Sequence, residues 1–133
     1  MRILILDDDP DICDLLDTAL TGKGHEVTSL SDPTEFPLFN NQRCPCEPED
    51  ICTDVLIADI VMPKIGGLEF VKDLRKKGCW PLKLGNVAVM SGFLTLHYMN
   101  ELHSMGIHYF RKPFELKEIF DWLEACQERL ETS

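Results

Sequence analysis

The sequence has no long apolar run and no excess of positive charge. No apolar stretch reaches the roughly 18 residues that span a bilayer, and Met1-Arg2 leads directly into a short strand-like run, so neither a membrane helix nor an export signal is expected. The formal net charge of -10 argues against tight binding to nucleic acid, whose phosphates attract clustered lysine and arginine. We therefore expect a cytoplasmic protein without direct nucleic acid binding by this chain and without membrane contact.

The sequence also lacks the compositional extremes of disordered, collagen-like and disulfide-scaffold chains. Hydrophobic residues make up 44% of the chain and charged residues 27%, which is an ordinary globular balance. The length of 133 residues is close to the commonest domain size, so we predict a single domain over residues 1–133.

Short β-rich runs alternate with segments of helical period, a pattern that is typical of βαβ units around a parallel sheet. Five strands are predicted, at Arg2 to Leu6, His25 to Leu30, Asp54 to Ala58, Asn86 to Met90 and His108 to Arg111. Helices are predicted after Pro10 and over about Gly67 to Lys77, Leu94 to Met105 and Glu115 to Leu130. The fold class is therefore α/β, a doubly wound five-stranded parallel sheet in the flavodoxin-like order 2-1-3-4-5.

The segment of about residues 32–53 interrupts this alternation. Prolines and the run Asn40-Asn41-Gln42 stand where the second helix is expected. We predict an irregular, insertion-like segment in which that helix is short or absent.

Polar residues follow four of the predicted strands. Asp7 and Asp8 follow the first strand, Asp59 the third, Ser91 the fourth and Lys112 the fifth. Because ligands of a doubly wound sheet collect beyond the carboxyl ends of its strands, three carboxylates, one hydroxyl and one ammonium are expected at one rim.

Three neighbouring carboxylates repel one another, so a cation among them would stabilise the cluster. Oxygen ligands favour Mg²⁺, which commonly binds one or two carboxylates together with phosphate oxygens. A carboxylate can also attack phosphorus and form an aspartyl phosphate, while a metal and a lysine neutralise the developing charge. The constellation therefore indicates phosphoryl transfer.

Each feature has a simpler explanation when it is taken alone. The acidic triplet from Asp7 to Asp9 is also typical of helix capping, Ser91-Gly92 of a plain turn, and Lys112 of a solvated lysine. Their joint placement at successive strand ends favours a functional site.

Four stretches carry a resemblance to response-regulator receiver domains of two-component signalling, the chemotaxis receiver among them. They are ILILDDDP, LIADIVMPKIGGLEF, VAVMSGF and YFRKPF, and the resemblance extends over essentially the whole chain. It implies a phosphoprotein of a phosphorelay, which accepts a phosphoryl group from a histidine kinase or phosphotransfer protein and then changes a partner-binding face. The partner on that face would be a downstream target protein or a fused output domain.

The resemblance also implies roles for individual residues. Asp59 is similar to the acceptor, and Mg²⁺ would be held by Asp59, Asp8 and the backbone carbonyl of Val61, with Asp7 acting on the metal through water. Asp9 lies outside the acidic pair.

Three further residues match motifs of the same family. Ser91 would donate to a phosphoryl oxygen, and Lys112 would bridge the acceptor and then the phosphoryl group, with the Lys112-Pro113 bond expected to be cis. Tyr109 matches the switch aromatic, although a half-buried strand tyrosine is the simpler alternative. The switching face would run from about Leu94 to Arg111 and include the start of the last helix.

Two apolar residues near the acceptor predict a long-lived phosphate. Val61 follows Asp59 by two positions and Phe93 follows Ser91 by two, where other receivers can carry polar groups that orient water. We expect slow self-dephosphorylation and no enzyme activity beyond phosphorylation of the chain itself.

The cysteines allow a second, structural metal. Cys44, Cys46, Cys52 and Cys79 would lie at the end of the sheet opposite the acidic site and could bind Zn²⁺, although the spacing is unfamiliar and ordinary reduced thiols are the alternative. Cys13 and Cys126 are interpreted as small core residues on helices at one side of the sheet.

Two other functions remain open at the level of sequence. One is a receiver that acts through protein interaction without phosphorylation, which the intact polar set argues against. The other is a phosphatase with an aspartyl-phosphate intermediate, although such enzymes place the nucleophile in a D-x-D pattern after the first strand. The sequence does not decide whether the chain acts alone or is part of a larger regulator.

Overall fold

The five predicted strands are present in the computed structural model, which describes residues 1–31, 53–61, 66–76 and 85–132. The strands are β1 (Arg2–Leu6), β2 (Glu26–Leu30), β3 (Val55–Asp59), β4 (Val87–Ser91) and β5 (His108–Arg111). The helices in this part of the chain are α1 (Pro10–Thr21), α2 (Gly67–Lys76), α3 (Leu96–Ser104) and α4 (Leu116–Thr132).

All four strand pairings are parallel, and the strand order is β2-β1-β3-β4-β5. The predicted fold class and strand order are therefore confirmed. Strand β1 pairs with β2 on one side and with β3, the central strand, on the other, so the order of the strands reverses next to β1. The carboxyl ends of β1 and β3 consequently lie side by side, which is where a doubly wound sheet binds its ligands.

Alternate residues of the strands belong to two different cores. Leu4 and Leu6 of β1 pack with residues of α2 and α3, whereas Ile3 and Ile5 pack with residues of α1 and α4. This alternation follows from the two-residue period of a strand. Because helices cover both faces, β3 and β4 are buried along their whole length, which explains why their sequences are nearly continuous apolar runs.

Two strand ends differ from the prediction by one residue in a way that matters for the site. Strand β3 continues beyond Ala58 to Asp59, which pairs with Met90, and β4 continues to Ser91, which pairs with Arg111. Both polar residues are therefore the last residues of paired strands, so the sheet itself fixes their backbones.

Helix α3 is shorter than predicted. The predicted start at Leu94 is wrong because Thr95 is the N-cap, with its hydroxyl accepting a hydrogen bond from the Tyr98 N–H. Leu94 is buried in the core with Leu102 instead of forming the first turn. The last helix, in contrast, continues past the predicted Leu130 to Thr132.

The two core cysteines were placed correctly. Cys126 is fully buried in the core between the sheet, α1 and α4, and Cys13 packs against the same core from α1. Burial raises the pKa of the Cys126 thiol to about 11.

Some predictions fall on other parts of the chain. The prediction of an irregular segment over about residues 32–53 concerns residues 32–52, which lie outside the described residues. In the described ranges, no helix is both long and apolar enough to cross a membrane.

Candidate functional site

The three predicted carboxylates meet at the carboxyl end of the sheet. Asp7 and Asp8 directly follow β1 and Asp59 ends β3, and one carboxylate oxygen from each lies within 4.8 Å of the others. Asp7 is 0% exposed and Asp59 is 7% exposed, whereas Asp8 faces solvent. The cluster thus has two buried carboxylates and one accessible carboxylate. An ion that enters from the solvent side could contact all three.

Lys112 supplies the positive charge beside the two buried acids. Its Nζ lies 2.9 Å from Asp7 Oδ2 and 3.2 Å from Asp59 Oδ2. Burial opposes the ammonium charge, but the hydrogen bond to Asp7 and the charge of Asp59 outweigh it, so the pKa of Lys112 is raised. Lys112 therefore stays protonated and bridges the ends of β1 and β3.

The backbone around Lys112 explains how its side chain reaches the rim. Its N–H donates to the carbonyl of Ser91 at 2.8 Å, which continues the pairing of β4 and β5 by one residue. The following peptide bond, Lys112-Pro113, is cis, as the family resemblance implied.

The predicted acceptor, Asp59, has a hydrogen bond to each carboxylate oxygen. Oδ1 accepts the N–H of Val61 at 3.1 Å, and Oδ2 accepts the ammonium of Lys112. Burial raises the pKa of Asp59 and nearby Asp7 adds to the rise, while the Val61 N–H and Lys112 oppose it. Burial and the charge of Asp7 thus outweigh these two favourable contacts, and the pKa of Asp59 stays above its usual value.

The donor set fits a hard divalent cation. Three oxygen donors converge, and in the part of the chain that the structure describes one ammonium, that of Lys112, lies among them. The accessible carboxylate of Asp8 leaves room for water on the solvent side. Mg²⁺ prefers such oxygen ligands and usually retains several waters.

Ser91 is buried at the end of β4, but its hydroxyl is engaged within its own loop. Oγ donates to the carbonyl of Phe93 at 2.8 Å and accepts the Phe93 N–H at 3.1 Å. The structure thus places the Ser91 backbone at the predicted rim, while the side chain is held in a local turn.

Tyr109 is half-buried on β5 and packs against the core on the side of α2 and α3. Its neighbour His108 points to the opposite side of the sheet, where its ring stacks on Trp122 with centroids 5.7 Å apart. A half-buried ring at position 109 is compatible both with the switch role and with an ordinary strand tyrosine.

The sequence interpretation left out one residue that contacts the cluster. Asp9 donates its backbone N–H to Asp7 Oδ1 at 2.9 Å, and its side chain caps α1. The signal was available in the Asp9-Pro10 pair, because an aspartate before a proline is typical of a helix start.

The predicted zinc ligands cannot be placed at a site. Cys44, Cys46, Cys52 and Cys79 lie outside the described residues, and no comparison with known proteins supports zinc in this chain. Among the described residues, the acidic cluster is the group of three or more potential metal ligands within reach of one another.

Comparison with known proteins agrees with this geometry. The family model described as "Response regulator receiver domain" matches residues 3–124. The chain is 33% identical over 118 residues to the uncharacterized transcriptional regulatory protein YrkP of Bacillus subtilis, covering 89% of this chain and 46% of that protein. It is 30% identical to the nisin biosynthesis regulatory protein NisR of Lactococcus lactis, covering 98% of this chain and 52% of NisR. The chain therefore spans about half the length of these relatives.

Solved structures give the same result. The N-terminal domain of an uncharacterized protein from Wolinella succinogenes has a TM-score of 0.79 and 31% identity, covering 100% of this chain and 99% of the other. The response regulator TrrA of Thermotoga maritima, solved in complex with Mg²⁺-BeF, has a TM-score of 0.70 and 28% identity, covering 94% and 97%. Because the family model matches most of this chain, the chain belongs to the response regulator receiver domains of two-component systems.

Proposed function

We propose that the chain is a phosphorylation switch in which Asp59 accepts a phosphoryl group from a phosphohistidine of a histidine kinase or phosphotransfer protein. The observation that carries this proposal is the Asp59 carboxylate itself, which lies at the end of a buried strand beside the ammonium of Lys112 and the carboxylates of Asp7 and Asp8. This arrangement combines a nucleophile, a fixed cation and a set of metal ligands at one rim.

Receiver domains bind Mg²⁺ at an acidic pocket, and the residues of this rim match that use. Asp8, Asp59 and the Val61 carbonyl would hold the ion, with Asp7 acting through a bound water. The complex of TrrA with Mg²⁺-BeF supports Mg²⁺ binding here, because the two folds superpose over most of both chains. When bound, Mg²⁺ supplies positive charge for the phosphoryl oxygens that Lys112 alone does not neutralise.

The chemistry of the proposed transfer follows from the contacts of Asp59. An Asp59 oxygen attacks phosphorus, the new P–O bond forms as the P–N bond of the phosphohistidine breaks, and the imidazole leaves. Lys112 already contacts Asp59 Oδ2, so its ammonium is placed to pair with the charge that develops on the phosphoryl oxygens. The backbone N–H of Val61 holds the other carboxylate oxygen and keeps the nucleophile oriented.

Ser91 and Tyr109 would couple phosphorylation of Asp59 to a conformational change at the protein surface. The Ser91 hydroxyl has one hydrogen to donate, so it must give up its hydrogen bond to the Phe93 carbonyl before it can donate to a phosphoryl oxygen. That movement frees the loop before α3 and shifts the population of the face formed by α3, β5 and the start of α4, with Tyr109 turning inward. A target protein or an output domain would bind this face. Relatives described as transcriptional regulators, about twice as long as this chain, support an output domain.

The proposal is tested by incubating the chain with Mg²⁺ and acetyl phosphate and measuring its intact mass. We expect the wild type to gain one phosphoryl group, and neither Asp59→Asn nor wild type with excess chelator to gain it. The absence of a wild-type mass increase, under conditions in which a control receiver reacts, would contradict the proposal. Continuous release of phosphate over many turnovers would instead support the phosphatase alternative.

The lifetime of the phosphate gives a second prediction. Val61 and Phe93 are 72% and 78% exposed, so water reaches the rim, but neither side chain has a polar group to orient it. Val61→Asn should therefore speed the loss of phosphate by roughly tenfold, less than the 10²–10⁴ of a dedicated general base. The decay of purified phosphorylated protein after removal of acetyl phosphate measures this rate, with Val61→Leu as the apolar control. Equal decay of the Asn and Leu variants would show that position 61 does not set the lifetime.

A further inference from the structure

Asp9 is connected both to helix α1 and to the buried carboxylate of Asp7. Its side chain is the N-cap of α1 and accepts the N–H of Asp11 at 2.9 Å, and its carbonyl accepts the N–H of Cys13 at 3.2 Å. Its own N–H donates to Asp7 Oδ1 at 2.9 Å. The conformation that caps the helix is thus the conformation that aims a donor at Asp7.

Two features of the chain restrict Asp9 to this conformation. Pro10 occupies the start of α1, and a residue before proline is pushed out of the helical region into extended backbone. Asp9 has φ -87° and ψ 110°, an extended backbone that is also typical of an N-cap. In this extended conformation the capping hydrogen bond to Asp11 and the N–H contact to Asp7 are made together, so the cap restrains the backbone that carries the donor.

Asp7 depends on such a donor because it is fully buried. Oδ2 is held by the ammonium of Lys112 and Oδ1 by the N–H of Asp9. A second link comes from the first turn of α1, where the thiol of Cys13 donates to the Asp7 carbonyl at 3.2 Å. The orientation of the Asp7 carboxylate is therefore coupled to the start of the helix.

We infer that Asp9 is a positioning residue for the metal site, and that its side chain acts by capping α1 and thereby orienting Asp7, not by adding negative charge near the ion. The inference rests on the proposed function in one respect, because Asp7 is assigned there as the residue that acts on Mg²⁺ through water. Its structural part, the dependence of the Asp9 N–H on the cap, does not require a metal.

Four substitutions separate the cap from the charge. Asn and Ser at position 9 keep a good N-cap and remove the charge, Glu keeps the charge but is a poor cap, and Ala removes both. If capping matters, Asp9→Asn and Asp9→Ser behave like the wild type, and Asp9→Glu resembles Asp9→Ala. If charge matters, Asp9→Glu behaves like the wild type, and Asp9→Asn and Asp9→Ser resemble Asp9→Ala.

The first measurement is made on metal-free protein. Hydrogen exchange of the residue 9 amide, followed by NMR, should show protection in the wild type and in the Asn and Ser variants and faster exchange in the Ala and Glu variants. Thermal unfolding of each variant shows that it is folded. Similar protection in all five proteins would overturn the inference, since the cap would then have no influence on the donor.

The second measurement is the dissociation constant for Mg²⁺ by calorimetry. We expect about fivefold weaker binding in the Ala and Glu variants, the factor that corresponds to a typical N-cap, and at most a twofold change in the Asn and Ser variants. Weak binding by Asn and Ser together with unchanged binding by Glu would overturn the inference in favour of a charge effect. If the wild type bound no Mg²⁺, the proposed function would fail, while the exchange pattern would still decide the structural part.

Discussion

Lys112→Met should lower the rate of Asp59 phosphorylation by acetyl phosphate by roughly 10²-fold or more, the effect of removing one preorganised donor from a site of developing charge. The Lys112 ammonium lies 2.9 Å from Asp7 and 3.2 Å from Asp59, and it is the positive charge that directly contacts both buried acids in the described part of the chain. Methionine has a similar length and apolar stem, so the substitution removes the charge with little change in volume. The rate of mass increase at saturating Mg²⁺ measures the effect.

Lys117→Met is the matched control for this substitution. Lys117 lies on the exposed surface of α4, and its ion pair is with Asp121 at 2.7 Å on the same helix and not with the carboxylates that Lys112 bridges. Its replacement should leave the rate unchanged, because an exposed pair contributes little. A Lys112→Met protein that remains folded by circular dichroism and reacts within threefold of the wild-type rate would contradict the role of Lys112.

Phe70→Ala should lower the free energy of unfolding by about 3–5 kcal/mol. Phe70 is fully buried in α2, within the core that joins α2 and α3 to the sheet. Truncation removes the transfer free energy of the ring and leaves a cavity between the helix and the strands, because close-packed neighbours relax only partly. Urea denaturation monitored by circular dichroism measures the change.

A second phenylalanine of the chain supplies the control. The side chain of Phe93 is 78% exposed beside the site, so Phe93→Ala should change the free energy of unfolding by no more than about 0.5 kcal/mol. A loss below about 1.5 kcal/mol in Phe70→Ala, too small for a fully buried ring, would show that α2 does not pack on the sheet as described.

The convergence of the site residues was predictable because it depends on topology and not on side-chain detail. The apolar runs before Asp7, Asp59 and Ser91 identify buried parallel strands, and parallel strands in a doubly wound sheet bring their carboxyl ends to one edge. The position of the rim therefore follows from the sequence alone.

The contacts within the rim were not predictable in the same way. Two hydrogen bonds, from Ser91 to Phe93 and from Asp9 to Asp7, depend on backbone turns of one or two residues. Such short turns carry no periodic signal in the sequence. The start of α3 was placed incorrectly for the same reason, since apolar Leu94 fits the helical period but is buried before the Thr95 cap.

The backbone hydrogen bond between Lys112 and Ser91 links the site to the face formed by α3, β5 and the start of α4, where a partner would bind. It connects the end of β5 to the end of β4, so the strand that would contact a partner carries, one residue further on, the ammonium that holds Asp59. Equilibrium free energies are reciprocal, so a partner that prefers the phosphorylated form would shift the equilibrium between the unphosphorylated and phosphorylated chain towards the phosphorylated form by the same factor. A downstream target that recognises the phosphorylated chain would then also favour phosphorylation of Asp59.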